Sequence, residues 1–180
     1  MIRGLLSLAI LVLATTNVRC FYVNYFAFGA NMNPDILEKR TLSPPGSLKY
    51  QRAVLSDYKL VFNTGVSAIG MAASVEPLKG ASTHGLCYKL NLPQFNLLLA
   101  SEGFPIGYKI ETVSVRPYGS RGSEEALTLR SGNGLISGKP SERYINLLLK
   151  GAKESKLDEQ YQSFLGTIEP TTSITSRIRS

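Results

Sequence analysis

The stretch from Tyr25 to Lys39 constrains the fold more than any other part of the sequence. It opens as an apolar, aromatic run suited to a buried strand, and it breaks at Gly29. It resumes as a helix, with Asn33 placed as the N-cap and Pro34 at the first helical position. A strand, a glycine turn and a helix N-terminus point several free N–H groups at one spot, where the helix dipole favours an anion. The stretch therefore predicts either a pocket for a carboxylate, phosphate or oxyanion, or an ordinary corner that binds nothing.

The rest of the chain is predicted to alternate short strands with helices. Apolar and β-branched runs indicate strands over residues 53–63, 68–75, 84–90, 108–116 and 124–130, with a turn over residues 80–83. Helical spacing and capping signals indicate helices over residues 93–102, 141–152 and 157–165. A chain of 180 residues is long enough for one domain with a substantial core. We therefore expect a single α+β domain without internal repeats.

The first twenty residues are predicted to be a targeting segment that is not part of the fold. Arg3 precedes an apolar run over residues 5–14, a pattern typical of a cleavable secretory signal with Phe21 as the mature N-terminus. Because no acidic residue occurs before Asp35, an organelle presequence is the alternative. The apolar run is too short for a stable membrane span. The folded domain is expected over residues 21–169, followed by a disordered tail over residues 170–180.

The net charge of +7 is partly an effect of the two ends of the chain. Arg3 and Arg19 lie in the leader, and Arg177 and Arg179 lie in the tail. The sequence has no clustered basic stripe with interleaved aromatic residues, so we expect no nucleic-acid partner. The modest positive charge of the domain suits a small anionic substrate, although a solvated surface explains it equally well.

The reactive side chains of histidine and cysteine are interpreted as structural. His84 is the single histidine, which argues against a histidine-rich metal site, and we expect it to be a solvated residue at a strand edge. The two cysteines have no paired spacing, which excludes a disulfide framework. Cys87 lies among apolar neighbours and is expected to be a small buried hydrophobic residue.

Four segments of the chain occur together in one order. They are Phe-Ala-Phe-Gly-Ala-Asn-Met at 26–32, Gly-Leu-Cys-Tyr-Lys-Leu at 85–90, Leu-Leu-Ala-Ser-Glu-Gly at 98–103 with Gly-Tyr at 107–108, and Pro-Ser-Glu-Arg-Tyr at 140–144. They resemble, respectively, the Tyr-Gly-Ser-Asn-Leu signature, a following strand, the catalytic-glutamate segment and the C-terminal Pro-Ser-x-x-Tyr element of the gamma-glutamylcyclotransferase family. The resemblance spans residues 22–168. It implies a small mixed β-barrel with helices outside it.

The chain departs from the family pattern in its first segment. Phe28, Ala30 and Met32 stand where Tyr, Ser and Leu are usual. Loss of the serine hydroxyl at position 30 costs little if the loop works through backbone N–H groups, and it changes affinity or preference if that hydroxyl touches the substrate. The acidic residue that the family has a few positions before its glutamate is also missing, since Leu98 and Leu99 fill that stretch.

Glu102 is the candidate catalytic residue that the resemblance implies. It is placed at the C-terminal end of a predicted helix, where the helix dipole disfavours a negative charge. Burial against Leu98, Leu99 and Phe104 would disfavour the charge further, which favours a carboxyl that takes up and returns a proton near neutral pH. The alternative is a surface glutamate beside Gly103, which ends the helix.

The resemblance implies conversion of gamma-glutamyl amino acids or peptides to 5-oxoproline and a free amino acid. The substrate's own amine attacks its gamma-carbonyl, so that no metal, cofactor or covalent nucleophile is required. The residues implied to bind the substrate are Phe28, Gly29, Ala30, Asn31, Met32, Tyr108 and Tyr144. For the two tyrosines the alternative is amphipathic packing, and for Asn31 it is a turn position.

Two other functions stay open. One is a related cyclotransferase that acts on gamma-glutamyl amines or another acylated amine, selected by Ala30 and by residues 104–106. The other is a non-catalytic module that binds a small molecule on the same scaffold. The oligomeric state is also open, with a homodimer among the candidates.

Overall fold

Five strands close into a barrel, with helices packed against its outer face. The computed structural model describes residues 21–65, 70–132 and 137–171. The strands are β1 (Tyr22–Ala27), β2 (Tyr50–Thr64), β3 (Ala72–Asn91), β4 (Tyr108–Pro117) and β5 (Glu124–Ser131). The helices in these ranges are α1 (Pro34–Arg40), α2 (Leu92–Ser101), α3 (Glu142–Glu154) and α4 (Glu159–Gly166). The order around the barrel is β1-β3-β2-β4-β5, and β1 closes it by pairing in parallel with β5 while the other neighbours are antiparallel. The predicted small mixed barrel is confirmed.

Alternate residues of the strands build two apolar clusters. In β1, Phe26 points into the barrel, whereas Tyr25 and Ala27 belong to the cluster on the outer face. The helices contribute to the outer cluster, for example through Leu98 of α2 and Leu148 of α3, both fully buried. Because the inner space is filled by side chains, a ligand site is expected where the barrel meets the helices.

The predicted pair of strands over residues 68–75 and 84–90 is wrong, because the structure has the single long strand β3. The turn predicted at residues 80–83 is also wrong: residues 78–81 form a bulge opposite Asp57 of β2, and Ser82 and Thr83 are paired with β2. The Gly80 N–H donates to the Asp57 side chain at 2.7 Å. Pro77 does not end the strand: it lies opposite Tyr58 of β2, in a part of β3 that does not pair with β1.

The helix starts follow the capping signals of the sequence. The side chain of Asn33 accepts from the Asp35 N–H at 3.0 Å, as the N-cap prediction requires. Asn91 and Gln94 form a capping box at the start of α2, and Ser141 caps α3. The sequence did not predict the single turn of 3₁₀ helix over Ala30–Met32 that separates Gly29 from α1.

His84 is not a solvated edge residue, so that prediction is wrong. It is half-buried, and its ring stacks on Tyr161 of α4 with the centroids 4.6 Å apart. Its Nδ1 atom is hydrogen-bonded to the Tyr118 hydroxyl. Cys87 is buried inside the barrel as predicted, and burial, with Glu124 beside it, raises the pKa of its thiol to about 12. A thiol that stays protonated at neutral pH is a poor nucleophile.

Some predictions fall outside the described residues. These are the targeting segment over residues 1–20 and residues 172–180 of the tail. Of the tail, Pro170 and Thr171 are described, and the Thr171 N–H donates to the Pro140 carbonyl at 2.8 Å. Among the described helices, none combines the length and apolar character needed to cross a membrane.

Candidate functional site

One cavity brings the predicted site residues together. Glu102 lines it, and so do six of the seven residues that were expected to bind the substrate: Phe28, Gly29, Ala30, Asn31, Tyr108 and Tyr144. Arg40, Tyr25 and Leu129 complete much of the remaining wall. The cavity lies where the end of β1 and the 3₁₀ turn meet α2, β4 and α3. Segments that are far apart in the sequence therefore supply a single site.

Met32 is the exception among the predicted substrate-binding residues, because it does not line the cavity. Its side chain is fully buried in the outer apolar cluster. It packs against Gly151 of α3, where an added Cβ atom would lie 3.2 Å from Met32. Its N–H group donates to the Gly29 carbonyl at 2.9 Å. Neither the side chain nor the N–H group of Met32 is available to a ligand.

The end of α2 fixes the position of Glu102. Leu98, one turn earlier, is fully buried, and Glu102 is the C-cap residue. Gly103 follows with a φ of 69°, which favours glycine. Its N–H donates to the Ala100 carbonyl, and the N–H of Phe104 donates to the Leu99 carbonyl. This pattern is a Schellman motif, which ends the helix sharply and leaves the Glu102 side chain at the cavity wall.

Two polar side chains hold the Glu102 carboxyl. Asn31 Nδ2 donates to Glu102 Oε1 at 2.8 Å and to the Tyr25 hydroxyl at 2.9 Å. Arg40 Nη1 donates to the same Glu102 oxygen and, at 2.6 Å, to Asn31 Oδ1. The Glu102 side chain is only 14% exposed. The glutamate, the glycine turn and α1 are thus joined in one hydrogen-bonded network.

Arg40 and Tyr25 are site residues that sequence reasoning missed. Arg40 lies one turn beyond the buried Leu37 on α1, so helical spacing could have placed it on the inner face. Tyr25 precedes the turn by four residues and alternates with Phe26, which could have placed it on the outer face of the barrel. Arg40 changes the electrostatics, because its guanidinium places a positive charge directly beside the Glu102 carboxyl.

The glycine turn lines the cavity and carries two backbone N–H groups that lack a partner among the described residues. Among the described residues, no acceptor takes the N–H groups of Gly29 and Asn31. An added Cβ atom at Gly29 would lie 3.0 Å from the Tyr144 hydroxyl oxygen. A side chain here would press on the Tyr144 hydroxyl, so the group that approaches Gly29 closely is Tyr144 and not a ligand.

The tyrosines of the cavity are neutral hydrogen-bond donors at neutral pH. Burial raises the pKa of Tyr144, and the charge of Glu102 adds to it, although N–H groups of Ala73 and Ala30 act in the opposite direction. Burial likewise raises the pKa of Tyr108 and of Tyr25. The Tyr144 oxygen accepts from the Ala73 N–H at 3.2 Å, which leaves its own hydrogen free to donate.

The residues described here hold no group of three or more His, Cys, Asp or Glu side chains that could bind a metal ion. What the cavity offers is one carboxyl, two free N–H groups, phenol hydroxyls and a guanidinium. Such a set can bind an anionic group and transfer a proton.

The fold and this site define a barrel protein of the gamma-glutamyl cyclotransferase type. A solved structure of a gamma-glutamyl cyclotransferase matches with a TM-score of 0.75 and 27% identity, covering 84% of this chain and 90% of its own. The gamma-glutamylcyclotransferase of Homo sapiens is 31% identical over 153 residues, which cover 81% of this chain and 78% of the human protein. That of Bos taurus is 29% identical over 151 residues, with the same shares. No family model matches the sequence. The relatives show that this chain belongs to the gamma-glutamylcyclotransferase family.

Proposed function

We propose that this chain converts gamma-glutamyl amino acids or peptides to 5-oxoproline and a free amino acid, with Glu102 as general acid and base. The observation that supports the proposal is that Glu102 and the Gly29 turn share one cavity and are joined through the Asn31–Glu102 hydrogen bond. Family membership supports the same class of reaction. If Glu102 lay on the surface, far from the Gly29 turn, the proposal would have no structural support.

The proposed reaction is an intramolecular aminolysis. Glu102 takes a proton from the alpha-ammonium group of the substrate, and the free amine then attacks the gamma-carbonyl carbon. A carbon–nitrogen bond forms, a five-membered ring closes, and the carbonyl oxygen becomes an oxyanion. Glu102 returns the proton to the nitrogen of the leaving group, whose bond to carbon breaks as the carbonyl forms again, and the released amine takes up the second proton of the ring nitrogen. Because both reacting groups belong to one molecule, little orientational entropy is lost.

The N–H groups of Gly29 and Asn31 are proposed to bind the negative charge of the substrate. The charge is either the alpha-carboxylate of the ground state or the oxyanion of the tetrahedral intermediate. In both cases preorganised N–H groups stabilise it without reorganisation. Tyr144 supplies a further donor, since its hydroxyl hydrogen has no acceptor among the residues that the structure describes.

The test is product analysis with a matched pair of variants. Purified protein mixed with gamma-glutamyl-alanine should release alanine and 5-oxoproline. Glu102→Gln keeps the side-chain shape but loses the base, so the rate should fall by roughly a thousandfold. Glu125→Gln makes the same change at an exposed residue and should act like the wild type. Undiminished release by folded Glu102→Gln would refute the role of Glu102.

A second substrate class is favoured by one observation. Ala30, Ala72 and Ala73 form part of the cavity wall and offer no polar side chain to a leaving group. Faster turnover of gamma-glutamyl amines than of gamma-glutamyl amino acids would favour the related cyclotransferase. A non-catalytic binding module would instead show ligand-induced thermal stabilisation without any turnover.

A further inference from the structure

Arg40 is bound to the Glu102 carboxyl, yet the proposed reaction assigns it no step. Its Nη1 atom donates both to Glu102 Oε1 and to Asn31 Oδ1. The side chains of Arg40 and Glu102 are 30% and 14% exposed, so the ion pair is partly shielded from water. A charge-assisted hydrogen bond in such a setting is stronger than one between neutral groups. Arg40 is therefore well placed to hold the carboxyl still.

Arg40 also holds the oxygen side of the Asn31 amide. A guanidinium has donors only, so it must meet the oxygen of the amide and not its nitrogen. With Oδ1 turned to Arg40, the Nδ2 group faces Glu102 and the Tyr25 hydroxyl, and it donates to both. The Glu102 carboxylate only accepts, so it favours the same orientation, and loss of Arg40 removes one of the two sides from which the amide is held.

Both donors reach the same oxygen of Glu102. Arg40 and Asn31 each donate to Oε1, and within the described part of the chain no donor reaches Oε2. An oxygen that accepts two hydrogen bonds, one of them from a cation, is the weaker base of the two. The two oxygens of the carboxyl are thus made unequal by their surroundings.

We infer that Arg40 is a positioning residue that fixes Oε1 of Glu102 and the Asn31 amide, and thereby leaves Oε2 to exchange the proton with the substrate. This inference rests on the proposed function of Glu102. It differs from a role in substrate binding, because Arg40 then acts on the rate of proton transfer and not on affinity.

The kinetic test compares two substitutions at Arg40 with one at its neighbour. Arg40→Met removes both hydrogen bonds while keeping an unbranched apolar stem. With gamma-glutamyl-alanine, kcat should fall roughly a hundredfold, the loss expected for a misplaced catalytic group, while KM stays within roughly threefold. Arg40→Lys should recover part of the rate, since an ammonium can replace one of the two contacts. Lys39→Met, at an exposed position of the same helix, should leave both constants unchanged.

A second measurement is independent of turnover. In ¹⁵N-labelled wild type, the Asn31 side-chain amide should give a shifted, exchange-protected pair of resonances, which Asn31→Ser identifies by its loss. Arg40→Met should shift the pair and expose it to exchange, whereas Lys39→Met should not.

The outcomes separate the two proposals. A rise in KM with kcat unchanged, or Asn31 resonances that are the same with and without Arg40, would overturn the positioning role. A wild type without turnover would reject the proposed function, and the Asn31 resonances alone would then decide whether Arg40 orients the amide.

Discussion

Gly29 shows how one missing side chain shapes the candidate site. Its φ of −107° does not require glycine, so backbone strain is not the reason for its presence. The reason is space, because the Tyr144 hydroxyl lies 3.0 Å from where a Cβ atom would be. The glycine therefore admits a phenol from α3 to the turn that follows β1. The sequence pattern located the glycine correctly but could not name the group that approaches it.

This leads to a prediction in which the effect of Gly29→Ala depends on residue 144. In the wild type the added methyl group overpacks against Tyr144 and should lower the free energy of unfolding by about 1 kcal/mol. In a Tyr144→Phe background the clash is gone, and the alanine should be neutral or stabilising through its effect on the unfolded chain. Urea unfolding of the four proteins measures this.

The control for that cycle is Gly166→Ala. An added Cβ atom at Gly166 would have no heavy atom within 4 Å, so its effect on stability should be the same in both backgrounds. An equal loss from Gly29→Ala with Tyr or Phe at position 144 would show that the hydroxyl is not what excludes the side chain.

Helix α1 anchors the segment that follows it. Glu38 of this helix carries an ionisable side chain, yet it is only 4% exposed. Its carboxyl accepts from the N–H groups of Gly46 at 2.9 Å and Leu48 at 3.2 Å. The segment after α1 has no regular structure, so its backbone N–H groups have no strand or helix partner. The Glu38 carboxyl accepts two of their hydrogen bonds instead. The same helix carries Arg40, so the anchor also supports the site.

We predict that Glu38→Ala destabilises the protein by about 2 kcal/mol, since it leaves the buried Leu48 N–H without an acceptor. Lys39→Ala, an exposed change in the same helix, should alter the free energy of unfolding by less than about 0.5 kcal/mol. Chemical denaturation at neutral pH gives both values. If the two variants were equally stable, the contacts of Glu38 would contribute nothing.

Local features of these elements could be predicted from the sequence, and contacts between elements could not. The caps at Asn33 and Ser141 depend on residues three or fewer positions away, and the structure has both. The Arg40–Glu102 pair joins residues 62 positions apart, and the Asn31–Glu102 hydrogen bond joins residues 71 apart. Periodicity carries no information on such pairs. The family resemblance pointed to Glu102, and only the fold revealed its partners.

The long strand β3 was missed for a related reason. Glycine and proline usually end a strand, and β3 contains both Pro77 and Gly80. Here β2 continues alongside β3, and the extra residues of β3 form a bulge opposite β2. Whether a proline or glycine ends a strand thus depends on the strand that pairs with it. The sequence of one strand does not say which strand that will be.

On the scale of the whole molecule, an aromatic joint attaches α4 to the barrel. His84 of β3 stacks on Tyr161 and contacts Tyr118, whose hydroxyl accepts from the Asp158 N–H at 3.1 Å. Arg52 of β2 lies over the Tyr118 ring at 5.0 Å. The joint therefore connects two central strands to the last helix, and it contains the single histidine of the chain.

The joint should make stability depend on pH. Burial lowers the pKa of His84 below 6.5, Arg116 adds to the lowering, and Asp158 opposes both. His84 therefore binds a proton more readily in the unfolded chain than in the folded one. Its contribution to the free energy of unfolding is present above about pH 6.5 and is lost as the pH falls below that value. The neighbouring Tyr118 and Tyr161 stay neutral in this range, because burial raises the pKa of each.

The test compares urea unfolding of the wild type and His84→Asn at about pH 7.5 and about pH 5.5. The wild type should lose more stability between the two conditions than the variant, whose side chain does not titrate. The difference at the higher pH gives the structural cost of the substitution separately. The same decline in both proteins would assign the pH dependence to carboxyl groups elsewhere.

The residues of the site are spread along the chain, so the site can be assembled only late in folding. Its polar groups are carried by β1, the 3₁₀ turn, α1, the end of α2, β4 and α3, so a fragment must span residues 25–144 to contain them all. A nascent chain that has emerged only as far as β5 would still lack the Tyr144 hydroxyl. Turnover should therefore begin only after α3 has docked. Under the proposed function, the turnover rate of a protein preparation measures the fraction of its molecules that are completely folded.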